Sequence, residues 1–189
     1  MTTATDHWNL VDGWLSQARR VCSPNCNPRP PDHVPELIVV HGISLPPGCY
    51  GGAEIEALFT NTLERSAHPY FAQIAHVQVS AHFLIRRGGE IIQFVSTDAR
   101  AWHAGISCWQ GREQCNDFSI GVELEGCDHE AYEDAQYAAL NALIASLRKR
   151  YPSISPDAIV GHSEIAPGRK TDPGPTFEWS RLVDKVAKQ

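Results

Sequence analysis

The chain has 189 residues, of which 42% are hydrophobic and 20% charged; this is the usage of an ordinary globular protein with a single core and excludes a disordered or fibrous chain. A formal net charge of -6 argues against a protein that coats nucleic acid, whose phosphate backbone requires a basic face. No apolar run approaches the roughly 18 to 20 residues of a membrane span, MTTATDHWNL lacks the basic-then-apolar pattern of a secretory leader, and six scattered cysteines are too sparse for a disulfide framework, so a cytoplasmic protein with reduced thiols is expected.

Residues 8 to 20, WNLVDGWLSQARR, carry a short helical signal, and the proline-rich stretch that follows reads as loop because proline lacks an amide donor. Residues 1–35 are therefore expected to form a helix and loop packed on a core running from about 36 to 180 of a single domain. ELIVVH, residues 36–41, is a continuous apolar run that predicts a buried central strand ending at His41. Beyond the loop SLPPGCYGG, the spacing of Ile55, Leu58 and Phe59 predicts a helix over about 53–63, followed by a loop around HPYF.

Residues 79–95 read as a hairpin turning at Gly88 and Gly89. SIGVELEG, residues 119–126, alternates Ile120, Val122 and Leu124 with Gly121, Glu123 and Glu125, which predicts a strand with one apolar face and both acids on the other. From Tyr132 to Tyr151, Tyr137, Leu140, Leu143, Ile144 and Leu147 recur at helical spacing, giving the longest helix, stopped by Pro152. AIVGH then forms a short strand ending at His162. Helices interleave with strands while one hairpin is antiparallel, so the expected class is α/β (α+β), with a mixed central β-sheet flanked by helices.

Cys22 and Cys26 form a CxxxC pair with no matching second pair for a structural metal site, and nothing near Cys108 or Cys115 lowers a thiol pKa. His41 and His162 each close an apolar run, so both can project at one sheet edge, where open α/β folds place ligands. Ten residues after His162, Asp172 in GRKTDPGP can return to it through a proline-stiffened loop; an ordinary Asx turn remains the other reading. Two imidazoles and a carboxylate match a catalytic zinc site with a fourth position open to water. Amide hydrolysis further needs a base and a partner for the developing oxyanion, for which Glu123 and Lys170 are candidates, although each could equally be a surface residue.

VVHGISLPPG, SAHFLIRRGGEIIQFV, RAWHAGIS, CNDFSIGVELEG, DAQYAAL and GHSEIAPGRKTDPGP occur in this order, and from about Trp14 to Trp179 the chain resembles the AmpD family of anhydro-muramyl-L-alanine amidases. The resemblance implies a fold similar to the peptidoglycan recognition domain and a Zn2+ ion held by His41, His162 and Asp172. It implies Glu123 as general base and Lys170 as oxyanion stabiliser, with His82 and His103 left to pocket or structural roles. Trp102, His103 and Arg169 are the candidate substrate contacts.

The implied reaction is cytoplasmic hydrolysis of the bond between the lactyl group of 1,6-anhydro-N-acetylmuramic acid and L-alanine, during peptidoglycan recycling. The expected partner is an anhydro-muramyl or GlcNAc-anhydro-muramyl peptide, met by a monomer without nucleic acid or membrane. Two other readings stay open: a non-catalytic muropeptide-binding module, and an amidase acting on intact wall, which would require export. The chain departs from the family pattern at Gly42, where asparagine is frequent, and at Gln78 and Gln114, where some members carry arginine.

Overall fold

The computed structural model describes residues 8–183; the outermost ends of the expected domain, 1–7 and 184–189, lie outside the described residues. The expected helix over 8–20 is replaced by a hairpin. Leu10–Val11 (β1) and Trp14–Leu15 (β2) pair antiparallel around Asp12 and Gly13, both at positive φ, 50° and 74°. Asp-Gly with two left-handed residues is the tight turn whose twist suits paired strands. It prevails over the helical spacing because a short isolated helix is marginal, whereas the Gly13 carbonyl accepts from Gln93 Nε2 at 2.7 Å and from the Thr97 amide at 3.0 Å. Arg19–Arg20 (β3) then supplies an edge strand, and Cys26–Pro28 (β4) starts a separate small ladder.

Leu37–Ile43 (β5) is buried over its first five residues, as its apolar run requires, and continues two residues past His41. Glu54–Phe59 (α1) buries Ile55, Leu58 and Phe59. The expected loop around HPYF is instead the start of a second helix, Pro69–Ile74 (α2). His68 caps it by accepting from the Tyr70 amide at 3.1 Å, and Pro69 occupies the first helical position, where no amide donor is needed.

Phe83–Ile85 (β6) and Ile91–Gln93 (β7) form the predicted hairpin. Ala99–Ala101 (β8) pairs with β4, and Cys108–Trp109 (β9) with Arg112–Glu113 (β10). Ser119–Glu125 (β11), Asp134–Arg150 (α3), Ile159–Gly161 (β12) and the one-turn helix His162–Ile165 (α4) complete the regular elements.

The main sheet has the order β12-β5-β11-β6-β7-β3, parallel throughout except between β6 and β7. Side chains alternate across it: Phe83 and Ile85 join the cluster with Leu140, Leu143 and Leu147 of α3, while Leu84 joins Ile55, Phe59 and Phe71 under α1 and α2. Every residue of β11 is buried, which corrects the expectation of a one-faced strand, because β5 and β6 flank it and both sheet faces are covered. Its two acids are accommodated differently. Glu125 is ion-paired with Arg86 at 2.7 Å, whereas Glu123 opens toward the site. All six cysteines are free, and no helix among the described residues is long and apolar enough to cross a membrane.

Candidate metal centre

The parallel register of β5 and β11 sets Glu123 opposite His41, and β12, on the other side of β5, delivers His162 immediately after its last residue. These side chains gather near the C-terminal ends of neighbouring parallel strands, where open α/β sheets place ligand sites. Asp172 returns on the loop after α4, pinned by the Ser163 amide donating to the Asp172 carbonyl at 3.0 Å.

Three potential ligand atoms converge. His41 Nδ1 lies 3.0 Å from His162 Nδ1 and 3.2 Å from Asp172 Oδ2, and His162 Nδ1 lies 3.1 Å from the same oxygen. A tetrahedral zinc with bonds of about 2.0–2.1 Å separates its ligand atoms by about 3.3 Å, so the triangle fits such an ion closely. The far ring nitrogens point away: His162 Nε2 meets the Ala104 carbonyl at 3.1 Å and His41 Nε2 meets His103 Nδ1 at 2.9 Å.

Burial lowers the His41 pKa to about 4, so this ring is neutral at pH 7. Burial by itself pushes the Asp172 carboxyl up, but its contacts with His162 and His41 hold it well below the usual carboxylate range. An imidazole lone pair and a carboxylate oxygen in contact repel each other unless a cation lies between them. Beside them, Glu123 Oε2 is buried with no hydrogen-bond partner. Desolvation, helped by the nearby Asp172 charge and opposed by Lys170, raises the Glu123 pKa well above its ordinary value. A cleft of about 620 Å³ opens over His41, His162, Asp172, Glu123 and Lys170.

This combination of fold and donor set has known relatives. Residues 31–175 match the N-acetylmuramoyl-L-alanine amidase family. The chain belongs to this amidase family. The 1,6-anhydro-N-acetylmuramyl-L-alanine amidase AmpD of Citrobacter freundii is 62% identical over 173 residues, 92% of either chain. A crystal structure of a selenomethionine AmpD derivative has a TM-score of 0.90 at 61% identity, covering 92% of this chain and 96% of that one. The amidase AmiD from E. coli, solved with the substrate anhydro-N-acetylmuramic acid-L-Ala-D-gamma-Glu-L-Lys, has a TM-score of 0.60 at 29% identity, covering 96% of this chain and 66% of that one.

Within this amidase the cleft also receives Trp102 and His103. The Trp102 indole donates to Asn27 Oδ1 at 2.7 Å, and both His103 ring nitrogens meet protein atoms, His41 Nε2 and Ser119 Oγ. Arg169 turns aside: it donates to the Ala104 and Ile106 carbonyls at 2.7 and 2.6 Å and lines a neighbouring cavity of about 700 Å³, together with Gln114. His82 lies deeper, accepting from the Gly121 amide at 3.0 Å. Gly42 lines the cleft, and a Cβ there would stand 2.4 Å from the Tyr132 hydroxyl. Gln78 is exposed outside the residues that line the cleft.

Sequence reasoning missed the Ala104 carbonyl, Ser119 and Tyr132. A backbone carbonyl leaves no sequence signal at all. Ser119 did leave one, as a hydroxyl opening a strand that is fully enclosed.

Proposed function

We propose that this amidase hydrolyses the amide between the lactyl group of 1,6-anhydro-N-acetylmuramic acid and the L-alanine of muropeptides, as a zinc enzyme of cytoplasmic peptidoglycan recycling. The observation that carries the reading is the convergence of His41 Nδ1, His162 Nδ1 and Asp172 Oδ2 within 3.2 Å of one another, next to the unpartnered oxygen of Glu123. The substrate class is supported by the similarity to AmpD and by AmiD, a more distant relative solved with an anhydro-muramyl tripeptide.

A zinc ion bound by the three side chains supplies Lewis acidity at a scissile carbonyl and makes water a competent nucleophile near neutral pH. Glu123, kept basic enough to hold a proton by its desolvation, takes the proton of the attacking water and passes it to the departing alanine nitrogen. Lys170, exposed on the cleft rim, offers positive charge to the carbonyl oxygen as it becomes negative. Trp102 gives the cleft a flat apolar wall for the substrate, and His103 shapes the floor beside His41. Arg169 braces the 104–106 loop and lines the neighbouring cavity, where a substrate carboxylate would meet its positive charge.

The test is mass spectrometry of products from paired anhydro and reducing muropeptides, with zinc-loaded protein and with chelator. Release of free stem peptide from the anhydro substrate, abolished by chelation, is expected. Protein with stoichiometric zinc that releases no peptide would instead be a binding module, and equal cleavage of both substrates would remove the anhydro assignment.

A further inference from the structure

The two ligand imidazoles are backed in different ways. His162 Nε2 faces the Ala104 carbonyl, which can only accept, so its proton is placed by the backbone. His41 Nε2 faces another imidazole, His103 Nδ1 at 2.9 Å, and His103 Nε2 faces the Ser119 hydroxyl at 3.1 Å. An imidazole nitrogen and a hydroxyl can each donate or accept. The row from His41 through His103 to Ser119 therefore has two proton arrangements.

In the first, His41 Nε2–H donates to His103 Nδ1 and His103 Nε2–H donates to Ser119 Oγ, which leaves the His41 Nδ1 lone pair free for a cation. In the second, every hydrogen bond runs the other way: Ser119 donates to His103, His103 donates to His41 Nε2, and His41 Nδ1 carries the proton that excludes a metal. Only the first is compatible with the three converging ligand atoms.

We propose that His103 and Ser119 are positioning residues of the metal centre, supporting the His41 tautomer that presents Nδ1 to the ion by accepting its Nε2 proton; this rests on the metal assignment made above. The fold is built around the ring. A Cβ on residue 121, in the middle of β11, would stand 2.4 Å from His103 Cγ and 2.6 Å from its Nδ1, so the strand gives up a side chain there to seat the imidazole. The Asn116 side chain accepts from the backbone amides of His103 at 3.1 Å and Ala104 at 2.8 Å. One side chain thus sets both outer partners, the His103 ring behind His41 and the Ala104 carbonyl behind His162. Ser119 has no exposed surface, so no water replaces its hydroxyl without rearrangement.

The test measures zinc affinity of the full chain by competition with a chromophoric chelator, alongside thermal unfolding of the metal-free proteins. His103→Leu removes the acceptor and should weaken zinc by roughly 10- to 100-fold, the usual loss for an outer partner of a ligand histidine. His103→Asn, whose carboxamide oxygen can take the place of Nδ1, should recover most of that loss. Ser119→Ala strands an N–H in the metal-bound arrangement and a ring lone pair in the metal-free one, so it should weaken zinc as well as lower the metal-free melting temperature.

Imidazole ¹⁵N shifts of the zinc-loaded protein should report His41 protonated at Nε2. Unchanged zinc affinity in His103→Leu and Ser119→Ala would overturn the proposal, as would an Asn variant no better than Leu, which would reduce the ring to packing. If His103→Leu does not fold, Ser119→Ala decides alone. A wild-type chain that takes up no zinc would instead remove the metal assignment itself.

Discussion

The phenol of Tyr132 donates to the carbonyl oxygen of Pro173 at 2.9 Å, tying the loop that delivers Asp172 to the segment that leads into α3. The ring is buried against Phe177, with centroids 5.6 Å apart, and fills the space above Gly42 and Gly126. Asp172 therefore reaches the two histidines from an anchored loop.

Tyr132→Phe keeps the ring and strands the buried Pro173 carbonyl, so it should cost about 1–3 kcal/mol of stability. The extra stabilisation conferred by zinc should shrink as well, because the carboxylate is less firmly held. Denaturant unfolding with and without zinc measures both; an unchanged zinc increment would mean that the anchor has no influence on the ligand.

Glu123→Gln should lower turnover by roughly 10² to 10⁴ while zinc stoichiometry is retained. It should also stabilise the metal-free protein at neutral pH. Burial raises the folded carboxyl pKa above the unfolded value of about 4.3, so stability is full below that value and declines as pH rises from there through the folded pKa. Glutamine has no charge to desolvate, so that decline should vanish when midpoints are followed from about pH 4 to 9. Parallel pH profiles for the two proteins would identify another group as its source.

Arg86 bridges Glu125 at 2.7 Å and Glu56 at 3.0 Å, and Glu125 also accepts from the Gly51 amide at 2.7 Å, on the loop that borders the cleft. Glu125→Ala should cost about 3 kcal/mol, since it leaves a nearly buried guanidinium short of its closest counter-charge. Hydrogen bonds from Arg19 first, and then Arg86, hold Glu56 below the ordinary carboxylate range. Its contribution is present above the unfolded value of about 4.3 and is lost as pH falls through the folded one, so Glu56→Gln should flatten the acid limb of the stability profile. An acid limb of unchanged steepness would show that other carboxylates dominate it.

Gly13→Ala forces a side chain into a backbone at φ 74° and sets its Cβ 2.1 Å from Ser96 Oγ. Strain at φ above zero alone costs about 1–2 kcal/mol. Gly111, at φ 82°, has open space around it, so Gly111→Ala isolates that backbone cost. Thermal unfolding should rank Gly13→Ala as the more damaging of the two; equal losses would mean that the hairpin yields to the clash.

Long, enclosed elements were legible from the chain because burial writes a continuous pattern: LIVVH and SIGVELEG became two neighbouring interior strands, and the repeat from Tyr137 to Leu147 became α3. The short ones were not. The helix expected over 8–20 gave way to a hairpin whose turn was written in Asp12 and Gly13, two residues against a broader but weaker periodicity. The helix Pro69–Ile74 depends on one capping contact, from the Tyr70 amide to His68, which hydrophobic spacing does not express. Glu125 could not be told from Glu123 by alternation, since both project to one face of β11; their partners belong to other parts of the chain.

Local pattern alone determined the main strands, the long helix and the candidacy of His41 and His162, because a polar residue that closes a buried apolar run has to emerge at the sheet's edge. Position along the chain also offered Asp172, Glu123 and Lys170 as candidates, and the motif-rich resemblance assigned them their roles. Only the tertiary structure decided that both histidines offer Nδ1, that one carboxylate 131 positions along the chain from His41 completes the triangle, and that Glu123 has a buried oxygen without a partner. Those are properties of distance and solvent exclusion between segments remote in sequence, and they come into being only when the parallel strands take their register.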